Sequence, residues 1–272
     1  MQHDSGAYQD AVFWERKYAQ LFRVEDDSEC FDLYCQFEEL FPTIEGLLSP
    51  GIPHRALIIG VGRSHVIDVL LSRGYTNITA IDVSPTLVAK LSSKYERFAG
   101  VEVLVMDVCL LSSLPDAAYT LVIDKGCLDA LFCKVDFVRC VNAAYQEIYR
   151  VLRHQGILFS VSHAPPSARV PYMKDIEWTV LDHPLLEGEG LHLYTATKSM
   201  SEAVAGLDSS IIDVSESTEH RSLYVGDRPV VSSVAQSMNR CPRVRTKAHA
   251  GTLTVTASLQ EMRDLIDSVT YT

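Results

Sequence analysis

Arg55-Ala56-Leu57-Ile58-Ile59-Gly60-Val61-Gly62-Arg63-Ser64 decides the fold. Its apolar run is continuous, as a strand covered on both faces requires; a half-exposed strand would alternate. Val66, Ile67, Leu70 and Leu71 follow at helical spacing, and Gly74 suits the residue just past a helix end. A buried strand, a glycine turn and a helix, in that order, form the first half of a βαβ unit.

The alternation continues outward to about Lys198. Residues 78–83 read as a second strand, and Ser84-Pro85 as the N-cap and first residue of a helix reaching about Arg97. Residues 101–106 and 119–124 read as strands three and four. Phe137, Val141, Ala144, Tyr145, Ile148, Val151 and Leu152 trace one helix face. His154-Gln155-Gly156 then turns the chain into a fifth strand, 157–162, and 177–181 with 191–197 complete seven, the last two pairing antiparallel if adjacent.

The expected fold is therefore α/β: a Rossmann-like, mostly parallel sheet of seven strands with an antiparallel last strand and helices on both faces. Helix-compatible stretches at 8–22 and 31–48 precede it. The chain divides into a helical cap (1–51), a core (52–198) and a small C-terminal extension (199–272). A strand at 251–256 and a helix at 259–269, opened by a Ser258/Glu261 capping box, are expected in the extension.

Composition narrows the function. At 272 residues the chain exceeds one ordinary domain of about 100–200 residues and falls short of two. Hydrophobic residues make up 47% and charged residues 22%, enough for a core and against wholesale disorder. Lys and Arg number 24 against 35 Asp and Glu, a net charge of −11 that disfavours nucleic acid and favours a basic protein surface as partner. The one dense basic patch, Arg240 to Lys247, reads as a solvated loop, the alternative being a contact for RNA or a nuclear-import receptor. No apolar run approaches a membrane span and the first residues are polar, so no membrane partner and a cytoplasmic location are expected. Seven scattered cysteines with no Cys-x-x-Cys pair point to reduced thiols, with neither a disulfide framework nor a metal site.

The chemistry starts at Gly60-Val61-Gly62. At a strand end, glycine lets a ligand approach the backbone, and the helix N–H groups beyond favour polar groups. A dinucleotide and S-adenosylmethionine both suit such a turn. The third glycine of the dinucleotide fingerprint is replaced by His65, whereas a shorter Gly-x-Gly-x-small pattern fits Ser64, which favours methyl transfer. Asp82, with Val83 beside it, ends the second strand where a carboxylate accepts hydrogen bonds from ribose hydroxyls; the alternative is a helix N-cap. Asp107 and Val108 end the third, placed for an adenine amino group and ring, or as a plain surface loop. Asp124 ends the fourth, beside the topological switch point, placed to orient an incoming amine or serving as a structural acid, with Lys125 bordering the same site. Cys127 reads as packing, since nothing in its motif would activate a thiol. His163 and His192, without paired ligands, read as structural.

A longer match surrounds Asp124. Asp124-Lys125-Gly126-Cys127-Leu128-Asp129-Ala130, after Leu121-Val122-Ile123, resembles the Asp/Glu-Lys-Gly-Thr-Leu-Asp-Ala signature of eukaryotic class I methyltransferases related to elongation factor 1A lysine methyltransferase 4 and methyltransferase-like 13. Phe13-Trp14-Glu15-Arg16-Lys17-Tyr18 and Phe31-Asp32-Leu33-Tyr34 resemble that family's two cap elements, and the likeness spans about residues 8–198. It departs at Leu33, where the family has tryptophan, at Cys127, where it has threonine, and in the tail from Ser199. The resemblance implies S-adenosylmethionine as cofactor, held by Gly60, Gly62, Asp82, Val83, Asp107, Val108 and Lys125 and covered by Trp14 and Tyr18. It also implies Asp124 as the catalytic-side carboxylate and a protein lysine as acceptor, with elongation factor 1A as the specific substrate; the alternatives are a small-molecule methyltransferase and a non-catalytic binding module with this fold.

Overall fold

The computed structural model describes residues 11–24, 33–48, 54–184 and 190–199, all within one of two compact units of the chain. Two helices come first, α1 (Ala11–Val24) and α2 (Phe37–Leu47). Then follow β1 (Arg55–Ile59), α3 (Val66–Ser72), β2 (Asn77–Asp82), α4 (Pro85–Tyr95), β3 (Val101–Val105) and β4 (Tyr119–Lys125). The rest is α5 (Cys127–Phe132), α6 (Phe137–Val151), β5 (Leu152–Ser162), α7 (Pro166–Arg169), β6 (Trp178–Pro184) and β7 (His192–Lys198).

The strands form one sheet in the order β3-β2-β1-β4-β5-β7-β6. The pairs from β3 to β5 are parallel, and β7 is antiparallel to both β5 and β6. This is the seven-stranded Rossmann-like sheet expected from the sequence. The order reverses direction between β1 and β4, so right-handed crossovers place α3 and α4 on one face and α6 on the other. The crevice at that reversal, beyond the carboxyl ends of β1 and β4, is where such sheets bind ligands. β1 and β4 are buried through most of their length, which accounts for their unbroken apolar runs.

Several boundaries differ from the periodicity. The second helix starts at Phe37, because Tyr34 adopts φ 75 and turns the chain just before it. The 154–156 turn lies inside β5, which already pairs Leu152 with Tyr119; Gln155 at φ 59 sits in a register shift that resumes at Leu121 and Ile157. The short helices α5 and α7 were not anticipated, since six and four residues are too few to show a period. The elements expected beyond Ser199 lie outside the described residues.

Candidate functional site

The turn after β1 is built from glycine geometry. Gly60 has φ 56 and Gly62 φ 53, in the left-handed region that L side chains avoid. A Cβ on Gly60 would lie 2.6 Å from Cys127 Cβ, and one on Gly62 would lie 3.2 Å from the Tyr18 hydroxyl. The turn is bound to the end of β2: Gly62 N–H donates to Asp82 Oδ2 at 3.1 Å, and Ser84 N–H to Oδ1 at 3.1 Å. Asp82 is almost fully buried, and burial raises its pKa above the ordinary value while the amides of Ser84, Gly62 and Val83 pull it back. A carboxylate has about four lone-pair directions, so these amides leave acceptor capacity for a pair of hydroxyls.

Helix α1 runs over the same strand ends. Glu15 accepts hydrogen bonds from Ser84 Oγ at 2.6 Å, from Thr86 N–H at 3.1 Å and from Thr86 Oγ1, and these hold its carboxyl below the usual range. Ser84 itself accepts from Leu87 N–H at 3.2 Å, as the Ser-Pro pair predicted, so the N-terminus of α4 is capped both from its own chain and from α1. Tyr18 faces Gly62, with Asp82 and Cys127 close by; burial, and then those two groups, push its phenol well above its ordinary pKa. Trp14 stacks on Tyr18 at 6.1 Å between ring centroids and, with Phe13, packs against Cys133 after α5. Lys17 lies over the Trp14 ring at 5.0 Å, and burial lowers its ammonium to about 8. One helix thus contacts the segments that follow β1, β2 and β4.

Past β3, Asp107 is exposed and its Oδ1 accepts from Cys109 N–H at 2.8 Å. The Val108 side chain is buried in the core cluster that contains Ile59, Ile81 and Leu128.

The end of β4 is built differently. Asp124 is fully buried; its Oδ1 accepts from Leu128 N–H at 3.1 Å and its Oδ2 from Ser160 Oγ at 2.5 Å. Burial pushes its carboxyl up to about 6, opposed by Arg169 and reinforced by Asp129. Placed so, Asp124 acts on its surroundings through α5 and β5. Lys125 donates from Nζ to the Leu33 carbonyl at 2.8 Å, so it holds the cap. Gly126, at φ 88, lets that cap segment close in: a Cβ there would lie 2.5 Å from Leu33 Cδ2 and 3.3 Å from the Tyr34 ring.

Asp129, also fully buried, gathers the rest. It accepts from the Tyr34 hydroxyl at 2.8 Å, Ser162 Oγ at 2.7 Å and His163 N–H at 3.3 Å, and it pairs with Arg169. Tyr34 meets the His163 ring edge-on, with 4.7 Å between centroids. Sequence reasoning singled out none of Tyr34, Asp129 and Arg169 as site residues. The first two lie inside the quoted motifs, while Arg169 ends a helix too short to foresee. Burial raises the Cys127 thiol well above its ordinary pKa, which keeps it a protonated packing group. His192 is bonded through Nδ1 to Asp182 at 2.9 Å. Among the described residues no group of three or more His, Cys, Asp or Glu is placed to hold a metal ion.

Residues 57–160 match the family model described as a methyltransferase domain. Mouse EEF1A lysine methyltransferase 4 is 25% identical over 210 residues, covering 74% of this chain and 80% of that protein. The mouse eEF1A lysine and N-terminal methyltransferase is 29% identical over 157 residues, 57% of this chain and 21% of its own length. Among solved structures, the 1,6-didemethyltoxoflavin-N1-methyltransferase of Burkholderia thailandensis, determined with bound S-adenosylhomocysteine, is similar with a TM-score of 0.53. That likeness covers 70% of this chain and 89% of the other at 15% identity, and it shows a shared fold.

Proposed function

We propose that this S-adenosylmethionine-dependent methyltransferase of the class I fold transfers its methyl group to a lysine side chain of a protein, with elongation factor 1A as the substrate. The observation that carries the reading is the similarity to EEF1A lysine methyltransferase 4, which extends over most of both chains. The net charge of −11 supports it, since an acidic enzyme attracts a basic protein surface.

The residues of the first turn fit the cofactor. Glycine at 60 and 62 lets the turn take its left-handed backbone while packing against Cys127 and Tyr18, and Asp82 is fixed by backbone amides with acceptor capacity to spare for the ribose hydroxyls. Val83, Asp107 and the Val108 backbone continue that side, and Tyr18 with Trp14 covers it from α1. Bound there, S-adenosylmethionine supplies an electrophilic methyl group on a sulfonium.

The acceptor belongs over the ends of β4 and β5. Methyl transfer to an amine needs a neutral nitrogen aligned with the breaking bond, and alignment is the larger demand on the protein. Asp124 contributes by fixing the start of α5 through Leu128 and by bracing β5 through Ser160. In this reading the functional chain comprises the 1–51 cap and the 52–198 core, with 199–272 as a separate extension.

The test is incubation of the full chain with labelled S-adenosylmethionine, purified elongation factor 1A and, in parallel, a whole-cell extract, followed by mass spectrometry. Label on a lysine of elongation factor 1A is expected. Label confined to small molecules, or binding of S-adenosylmethionine with no labelled product, would overturn the lysine reading.

A further inference from the structure

Asp129 collects hydrogen bonds from four separate places: Tyr34 in the cap, Ser162 at the end of β5, the His163 backbone beyond it, and Arg169 at the end of α7. Asp129 and Arg169 both have no exposed side-chain surface. The guanidinium also lies over the Phe132 ring, 4.7 Å from its centroid, which ties it to α5 from a second side.

This arrangement is a poor device for stability. Among the described residues, Arg169 Nε and Nη1 are buried without a well-aligned hydrogen bond, their nearest polar neighbour being the Tyr145 hydroxyl. Unmet buried donors are costly, and a buried ion pair commonly contributes less than apolar side chains of the same volume would. What the pair provides is geometry. It binds the hydroxyl of Tyr34, whose backbone takes an uncommon left-handed φ of 75, and it holds the loop from Ser162 to Arg169 against the same carboxylate. The product is the edge-on contact of Tyr34 with His163, a wall made from two distant stretches of chain at the ends of β4 and β5.

We propose that Asp129 and Arg169 are positioning residues that lock cap residues 33–35 and the segment 162–169 into one wall of the acceptor site. The inference rests on the reading of that end of the sheet as the acceptor side. Neither residue touches the cofactor turn, which is organised by Asp82. Loss of the latch therefore separates the two halves of the reaction: the cofactor still binds, and the acceptor is no longer aligned.

Full-length Tyr34→Phe and Asp129→Asn decide the matter, with three measurements on each. Titration with S-adenosylmethionine is expected to give a dissociation constant within about threefold of wild type, while kcat for elongation factor 1A falls at least about tenfold. Hydrogen exchange is expected to speed up together at residues 33–40 and 163–169 and to stay unchanged at 60–62. Wild-type kcat in folded Asp129→Asn, or faster exchange in only one of the two segments, would overturn the proposal. Should Asp129→Asn fail to fold, the double variant Asp129→Asn with Arg169→Gln removes both charges together. That variant is expected to bind cofactor and still transfer slowly, and wild-type transfer by it would be equally fatal. If wild type itself methylates no lysine, the lysine reading falls and the exchange measurement still judges the latch.

Discussion

The two ends of the crevice are held by different kinds of bond. On the proposed cofactor side, over β1 and β2, the turn itself is held by backbone-to-side-chain bonds across short spans, Gly62 to Asp82 over 20 residues and Ser84 to Asp82 over two, with Glu15 reaching Ser84 from α1 over 69. On the proposed acceptor side, over β4 and β5, side chains reach across the chain: Tyr34 to Asp129 over 95 residues, Lys125 to the Leu33 carbonyl over 92, and Ser160 to Asp124 over 36. The first side is a local turn that reproduces itself wherever its glycines and carboxylate recur. The second exists only when the cap, α5 and the β5 loop have all been assembled. A cofactor site can thus be common to many proteins while the acceptor site belongs to one.

If that division is sound, substitutions on the two sides fail differently. The largest effect is expected from Gly60→Ala. The methyl group would meet Cys127 at 2.6 Å at a φ that costs an alanine about 1–2 kcal/mol, and relieving the overlap costs about 1–3 more. Isothermal titration should show S-adenosylmethionine affinity down by about a hundredfold or more, and an unchanged affinity would show that the turn can shift freely.

On the other side, Asp124→Ala should leave cofactor affinity nearly normal and slow methyl transfer by on the order of 10²-fold, because α5 and β5 lose their common brace. Single-turnover transfer at the wild-type rate would remove Asp124 from the acceptor side. The same residue predicts a pH dependence. Its folded pKa of about 6 lies above the ordinary 3.8, so between those values the folded chain holds a proton that the unfolded chain releases. Its contribution to stability is therefore greatest at low pH and declines as pH rises through about 6. Urea midpoints of Asp124→Asn measured from pH 4.5 to 6.5 should lack the decline seen in the parent, and parallel curves would deny the shift.

Asp82→Ala is expected to act on the cofactor side alone. Removal of two charge-assisted bonds, each worth about 1.5–3 kcal/mol, weakens S-adenosylmethionine at least about tenfold. Calorimetry with unchanged affinity in a folded variant would exclude the residue. The smallest effect belongs to Glu15→Gln, which keeps the side chain and removes the charge at the N-terminus of α4. A loss of about 0.3–1 kcal/mol is expected from thermal melts, shrinking in high salt.

The same contrast explains what could be read in advance. The βαβ order, the turn at Gly60, the N-cap at Ser84 and the carboxylate at Asp82 are local patterns with a period or a spacing, and the chain alone displays them. The pairing of β7 with β6 was also foreseeable from the connecting turn. Arg169 was not, because its meaning comes from Asp129, 40 residues away, and its own helix is four residues long. For Lys125 the motif gives only a position, and the hydrogen bond from its ammonium to the Leu33 carbonyl depends on the folded cap.

The sheet order has a consequence for synthesis on the ribosome. The last of the described strands, β7, is not an edge: it lies between β5 and β6 and is antiparallel to both. Until it emerges, β5 is an open edge, a surface prone to pairing with the wrong partner, and β6 has nowhere to dock. Its final residue closes the assembly from behind, since Lys198 Nζ donates to the Tyr149 and Leu152 carbonyls at the end of α6, at 2.6 and 2.7 Å. The nascent chain can therefore form the β1–β3 half early, while the half that would receive a substrate waits for residue 198.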